Sequence, residues 1–109
     1  MTIGIYTFEL HLPQARSLKD KRQVVKRLKD RLRSRFNVAV AELPEHADRW
    51  QRTGLAVVSI AGNRDTLSAL FETIQREAAQ QTPGHVIGTG TEFIAAADGG
   101  PSGWGERWE

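Results

Sequence analysis

The sequence predicts an α+β domain of the ferredoxin-like class, with two helices covering one face of a four-stranded antiparallel sheet. Its 109 residues suit one domain with its own core. Apolar residues recur with the periods of strands and helices, and the segments follow the order βαββαβ, which is the split-βαβ unit. The right-handed crossover rule then restricts the topology. We expect this domain to span residues 1–97 and a tail to span 98–109.

The first predicted strand covers residues 3–12 and ends at Pro13. Ser17 is the expected N-cap of the first helix, with Asp20 three residues later in the capping-box position. This helix is predicted to reach Phe36. Along the strand, one face carries Tyr6, Phe8, Leu10 and Leu12, and the other carries Ile5, Thr7, Glu9 and His11.

The later elements are bounded by turn-forming residues. Asn37 is expected at the end of the first helix, Asn63 at the start of the second, and Pro83 with Gly84 after it. The expected segments are a strand at 38–43, a polar loop at 45–54, a buried strand at 55–61, a helix at 64–80 and a last strand at 85–97. The tail is rich in glycine and contains Trp104 and Trp108, which either dock on a neighbouring subunit or remain without regular structure.

The small net charge of +2 conceals a strongly basic segment. Residues 16–35 hold ten of the fifteen basic residues and only Asp20 and Asp30 among the acids, so this segment carries +8 and the rest of the chain −6. Such polarity bears on association and non-specific binding rather than on the fold. Most charge runs are solvated helix faces, and that interpretation stays open here.

A row of basic side chains is predicted on one side of the first helix. At about 100° per residue its five members fall within roughly 80° of arc and span about 21 Å. Such a row is suited to phosphates, whose contacts are salt-dependent and insensitive to sequence. We call it the basic arc, and its members are Lys19, Arg22, Lys26, Lys29 and Arg33.

The predicted 45–54 loop offers a second candidate element of the same interface. Trp50 lies between Arg49 and Arg52, so its ring could stack on an unpaired base. The alternative is that Trp50 folds back over the edge of the core. The sequence alone does not decide between them.

Three stretches together resemble the YlxP-like family of small bacterial proteins, a domain of unknown function. They are SLKDKR at 17–22, RFNVAVAE at 35–42 and DRWQRTGLAVVSIAG at 48–62, and the resemblance covers about residues 1–97. It implies a ferredoxin-like fold and carries over no catalytic residue. Family genes often lie near genes for translation and ribosome-maturation factors, which is an association rather than a mechanism.

Polar residues outside the basic arc give weaker signals. Lys21 falls within the apolar arc of the first helix, where it must extend to solvent or pair, with Glu9 or Glu42 as the candidate partner. Glu9, His11 and Glu42 would share the open sheet face, but their spacing matches no metal motif. An open face carrying Glu9 and His11 also argues against base stacking on the central strands.

The sequence therefore favours a non-enzymatic accessory protein that binds RNA or a ribosomal surface through the basic arc and Arg49, Trp50 and Arg52. The alternative is a homo-oligomeric structural or regulatory module that uses the open sheet face. Residues expected on that face are Ile5, Val38, Val40, Val57 and Thr91, although the sequence leaves open which face each strand turns inward, since a one-residue slip reverses it. We expect no cofactor and no metal. The chain has no Cys, no signal-peptide pattern and no run of about 18 apolar residues, so a cytoplasmic protein without a membrane segment is expected.

Overall fold

The computed structural model describes residues 1–81 and 84–95 and confirms the predicted fold class. The sheet is antiparallel and has the strand order β2-β3-β1-β4. Its elements are β1 (Thr2–His11), α1 (Leu18–Arg35), β2 (Ala39–Glu42), a 3-10 turn (Pro44–His46), β3 (Arg52–Ala61), α2 (Arg64–Gln81) and β4 (His85–Ala95). The tail with Trp104 and Trp108 lies outside the described residues, as do the last two residues of the predicted fourth strand.

One core joins the sheet to both helices. Residues of β1 are alternately buried and partly exposed, and Tyr6, Phe8 and Leu10 point inward. Their contacts come from the apolar sides of both helices, so α1 and α2 cover the same sheet face. The helical members of the core are Val25, Leu28 and Leu32 of α1 and Leu67, Phe71, Ile74 and Ala78 of α2.

Both predicted N-caps are present. The Ser17 hydroxyl accepts a hydrogen bond from the backbone N–H of Asp20 at 3.1 Å, and the Asn63 side chain accepts one from the N–H of Thr66 at 2.9 Å. The end of α1 differs from the prediction, because Phe36 rather than Asn37 is the C-cap. Phe36 has extended backbone angles, and its N–H still bonds to the carbonyl of Leu32.

The predicted 45–54 loop is shorter in the structure. Strand β3 begins at Arg52, which pairs with His11, so the antiparallel ladder with β1 continues three residues further than the apolar pattern indicated. At the other end of the loop, Pro44–His46 form a 3-10 turn. The irregular segment is therefore confined to residues 47–51, between this turn and the start of β3.

The register corrects the predicted composition of the open sheet face. Val40 pairs with Val57, which pairs with Tyr6, and all three are buried beneath the helices. Thr91 also pairs with Tyr6 and therefore belongs to the helix-covered side. Val38 is partly buried and also packs against this core. The predicted face is therefore wrong for Val38, Val40, Val57 and Thr91, because a shift of one residue reverses the face of every side chain in a strand. Ile5 lies on the open face as predicted.

The open face has an apolar half and a polar half. In the apolar half, Ile3 is flanked by Ile60 and Ile94, and Ile5 lies between Val58 and the exposed Glu92, the one acid of this half among the described residues. Val58, Ile60 and Ile94 are 38–50% exposed. In the polar half, Glu9 lies between Gly54 and Gly88, and His11 lies between Arg52 and His85. Within the described residues, neither helix is long and apolar enough to span a membrane.

Candidate nucleic-acid interface

The basic arc lies on the solvent side of α1. The opposite side of the helix is buried in the core, and Lys19, Arg22 and Lys26 are exposed while Lys29 is partly exposed. Among the described residues, none of these four side chains has a hydrogen-bond or ion-pair partner. The helix thus holds a row of cationic groups that are available to an external anion.

Arg33, the fifth member of the arc, is already engaged within the fold. Its Nη2 donates a hydrogen bond to the carbonyl oxygen of Val40 at 3.0 Å. Its Nη1 lies 3.9 Å from the carboxylate of Asp30. Because β2 is an edge strand, Arg33 satisfies a backbone acceptor next to the free edge of the sheet. The available part of the basic arc is therefore its N-terminal four members.

Two other arginines of α1 have a structural partner. The Nε of Arg31 lies 2.5 Å from the carboxylate of Glu77 on α2, and the Nη1 of Arg35 lies 2.7 Å from the same oxygen. The hydrogen bond from Arg31, with further contributions from Arg35, lowers the pKa of Glu77 from its ordinary value, although desolvation opposes the shift. We call these three residues the helix clamp, because they join α1 to α2.

Lys21 is buried, and its ammonium group is satisfied inside the protein. Its side chain is 3% exposed. Nζ donates a hydrogen bond to the backbone carbonyl of His46 at 2.5 Å and lies 3.5 Å from the carboxylate of Glu42. Thr53 donates a further hydrogen bond to that carboxylate at 3.3 Å. Of the two predicted partners, Glu42 is correct, and Lys21 ties α1 to the segment that follows β2.

The expected grouping of Glu9, His11 and Glu42 on the open face is wrong. Glu42 pairs with Leu55 and faces the helices, where it meets Lys21. Glu9 remains on the open face and contacts Nε2 of His46 at 3.1 Å. Within residues 1–81 and 84–95, no three His, Cys, Asp or Glu side chains are grouped so that they could hold a metal ion.

Trp50 lines an open pocket. The residue is 48% exposed. The pocket has a volume of about 470 Å³, and its walls are formed by His11, Asp48, Arg49, Trp50, Gln51 and Arg52. Arg49 and Arg52, which the sequence placed on either side of the ring, therefore both belong to the same concavity as Trp50. We call it the Trp50 pocket.

Hydrogen bonds fix the Trp50 pocket against the connection between β1 and α1. The backbone N–H of Leu12 donates to the carbonyl of Gln51 at 2.8 Å. The Gln51 side-chain amide donates to the carbonyls of Pro13 and Ala15, both at 3.4 Å. Since α1 begins only three residues after Ala15, the pocket lies near the N-terminal end of the basic arc.

A separate groove lies between the start of α1 and the 3-10 turn. Its volume is about 330 Å³, and it is lined by Leu18, Lys21, Arg22, Glu42, Leu43, Pro44 and Ala47. Arg22 is thus both a member of the basic arc and a wall of the groove next to the 3-10 turn. The eight residues expected to bind nucleic acid fall into two neighbouring groups, the basic arc on α1 and the Trp50 pocket beside its start.

Sequence reasoning missed the helix clamp and the contact between His46 and Glu9. Glu77 lies at the margin of the apolar stripe of α2, close in helical angle to Leu70, and this position signals a buried or paired acid. The signal does not name the partner, because Arg31 is 46 residues away. His46 lies in the predicted polar loop, where no sequence pattern indicated its contact with Glu9.

Comparison with known proteins agrees with the resemblance seen in the sequence. Residues 3–90 match the model of a family described as "Protein of unknown function (DUF503)". A Bacillus subtilis (strain 168) relative with the name "Uncharacterized protein YlxP" is 37% identical over 62 residues. That alignment covers 57% of this chain and 66% of the relative, slightly less than two thirds of its length. The chain therefore belongs to the DUF503 family of YlxP-like proteins, whose function is unknown.

Proposed function

We propose that this protein is a small non-enzymatic accessory protein that binds nucleic acid, with RNA or a ribosomal surface as the expected ligand. The basic arc supplies the phosphate contacts, and Arg49, Trp50 and Arg52 extend the interface at its N-terminal end. The observation that carries the proposal is the row of cations at Lys19, Arg22, Lys26 and Lys29, which have no partner among the described residues.

Electrostatics explains why unpartnered cations favour this function. A cation that has a carboxylate partner in the fold must give up that interaction to bind a phosphate, whereas an unpartnered one exchanges only water and counterions. Protonated Lys and Arg donate hydrogen bonds and cannot accept a proton, so the arc supports binding rather than general-base chemistry. The four members that have no partner in the described part of the chain span about 15 Å of helix, which matches roughly four phosphate steps along one strand.

The test is a salt titration of binding to structured RNA and to duplex DNA. For native protein we expect log K against log salt to have a slope of roughly −2 to −4, with little dependence on sequence. Replacing Arg22 and Lys26 together by Gln removes two contacts, so the slope on a duplex should become about 1.8 less steep. The fold should be retained, because both side chains are exposed.

A matched control removes the same charge from α2. Arg64 and Arg76 are both exposed there, Arg64 over the ring of Phe93 and Arg76 beside Thr73. The Arg64→Gln, Arg76→Gln variant should bind with the native slope. Equal slopes for native protein and the Arg22, Lys26 variant, or no binding to either nucleic acid at low salt, would contradict the proposal.

The apolar half of the open face favours a second candidate function, a homo-oligomeric module. Strands β1, β3 and β4 have ten or eleven residues each and β2 has four, so at about 4.8 Å between strands the face measures roughly 570 Å². This is less than the roughly 800 Å² per partner of a standard interface, so a second copy of the chain is large enough to cover it. Two-fold pairing of this face would close the assembly at a dimer.

Sedimentation tests this second candidate. We expect a species of twice the 12.2 kDa chain mass at high micromolar concentration. Val58→Ser with Ile60→Ser should produce the single chain, while Ile87→Ser, at the bulge near the polar half, should leave the dimer intact. A native protein that sediments as one chain would rule the dimer out. Raised salt should not dissociate a dimer held by apolar contacts, which distinguishes it from phosphate binding.

A further inference from the structure

The Trp50 pocket combines features that the basic arc lacks. Trp50 leaves nearly half of a large aromatic side chain in water, although a loop Trp commonly packs on the core. The exposed large apolar side chains of the described strands are aliphatic and lie on the sheet surface. Trp50 precedes β3 and lines a concavity. Tryptophan and arginine in one pocket are the residues most often found at the energetic centres of interfaces.

The charges around the indole indicate the chemistry of a ligand. The guanidinium groups of Arg49 and Arg52 have no hydrogen-bond or ion-pair partner among the described residues, so the pocket can accept an anion. Asp48 lies in the same wall and would repel a bare phosphate. A ligand that matches both the arginines and Asp48 carries negative charge for the guanidinium groups and N–H donors for the carboxylate. A nucleobase with its flanking phosphate has both, together with a flat ring that stacks on indole.

The position of the pocket relates it to the basic arc. The Gln51 side chain binds the carbonyls of Pro13 and Ala15 in the connection between β1 and α1. Lys21 of α1 binds the carbonyl of His46, two residues before the pocket segment begins at Asp48. The two groups are therefore held in a fixed arrangement before a ligand arrives, which lowers the entropic cost of engaging both.

We infer that the Trp50 pocket takes an unpaired nucleobase whose neighbouring phosphates continue onto the basic arc. This inference rests on the proposed function and narrows it, because it names the substrate class as a nucleic acid with an unpaired base beside a run of phosphates. A fully paired duplex would meet the arc alone, since its bases are stacked inside and their hydrogen-bonding edges are occupied. RNA and DNA share this chemistry, and the experiment compares them.

Three hairpins of equal length, each made as RNA and as DNA, test the inference by fluorescence anisotropy. The first is fully paired, the second has one bulged purine, and the third has an abasic residue at the bulge. The abasic hairpin keeps the flexible backbone and removes only the ring. Native protein should bind the bulged hairpin about 5- to 150-fold more tightly than the abasic one, as expected for stacking of one base. The nucleic acid, RNA or DNA, with the larger ratio of bulged to abasic affinity is the preferred ligand.

Two substitutions of Trp50 serve as the variant and its matched control. Trp50→Leu removes the aromatic ring and should bring the ratio between bulged and abasic hairpins close to one. Trp50→Phe keeps an aromatic ring and should retain most of the preference for the bulged hairpin over the abasic one. Both variants should keep the native salt slope, because no phosphate contact is lost, and thermal unfolding should be nearly unchanged, because the side chain is exposed.

The outcomes separate this inference from the proposed function. Salt-dependent binding of all three hairpins with equal affinity, or a preference that survives Trp50→Leu, would overturn the nucleobase pocket and leave the basic arc as the binding site. Absence of binding to every hairpin at low salt would overturn both.

Discussion

The basic arc and the helix clamp lie on the same helix and contain the same kinds of side chain, but their surroundings differ. Arg31 and Arg35 share the carboxylate of Glu77 and join α1 to α2. Lys19, Arg22 and Lys26 face solvent without a partner among the described residues. One set is used by the fold and the other is available for a ligand. Positive charge on a helix therefore suggests function only after the intramolecular partners have been identified.

Lys21 extends this comparison to the interior and gives the largest expected effect on stability. In Lys21→Met the carbonyl of His46 loses its charged donor while the side-chain volume is nearly kept. We expect the free energy of unfolding in urea to fall by about 1–3 kcal/mol, as for an unsatisfied buried polar group.

The matched control is Lys19→Met, which removes the same charge two residues earlier from an exposed position. Its free energy of unfolding should change by no more than about 0.5 kcal/mol. Equal stability of the two variants would show that Lys21 contributes only its buried aliphatic stem.

The helix clamp should make the free energy of unfolding depend on pH in the acid range, with a smaller effect than Lys21 because Arg31 and Arg35 are exposed. Folding lowers the pKa of Glu77 below its ordinary value of 4.5, so the ionised carboxylate stabilises the folded state above that pH. This contribution is lost as the pH falls from 4.5 through the folded-state pKa. Glu77→Gln should therefore be less stable than native protein at pH 7, with a difference that narrows below pH 4.5.

Urea unfolding between pH 7 and pH 3 measures this difference. Glu72→Gln is the control, because Glu72 is exposed on the same helix and has no ion pair in the described part of the chain. A constant difference between Glu77→Gln and native protein across the whole range would mean that the clamp carboxylate does not titrate as its contacts require.

The sequence predicted the fold well because the fold depends on local periodicity. The alternation of Tyr6, Phe8 and Leu10 identified the buried face of β1, and Ser17 identified the start of α1. The buried faces of β2 and β3 were harder to predict, because Val40 and Val57 belong to runs that are apolar at both odd and even positions. Only the pairing with β1 shows which set points toward the helices.

The position of the candidate site could be predicted from the sequence, but the intramolecular contacts of its residues could not. Helical spacing placed the members of the basic arc on one side of α1, but it gave no indication that the Arg33 guanidinium reaches Val40 on the neighbouring strand. The exposure of Trp50 likewise depends on how Gln51 anchors the chain to Pro13 and Ala15. Contacts of this kind join residues that are distant in sequence, and no periodic pattern records them.

The smallest expected effect is also the sharpest test of the comparison, because it concerns two members of the basic arc itself. Lys26 and Arg33 both lie within the arc and each contributes one charge. Lys26 has no partner within residues 1–81 and 84–95, whereas Arg33 is bonded to Val40 and close to Asp30. Lys26→Gln should make the slope of log K against log salt on a duplex about 0.9 less steep, the contribution of one phosphate contact. Arg33→Gln should change the slope by less than half as much, because its guanidinium is already committed within the fold. If the two slopes change equally, position on the helix governs binding, and the distinction between available and engaged cations does not hold.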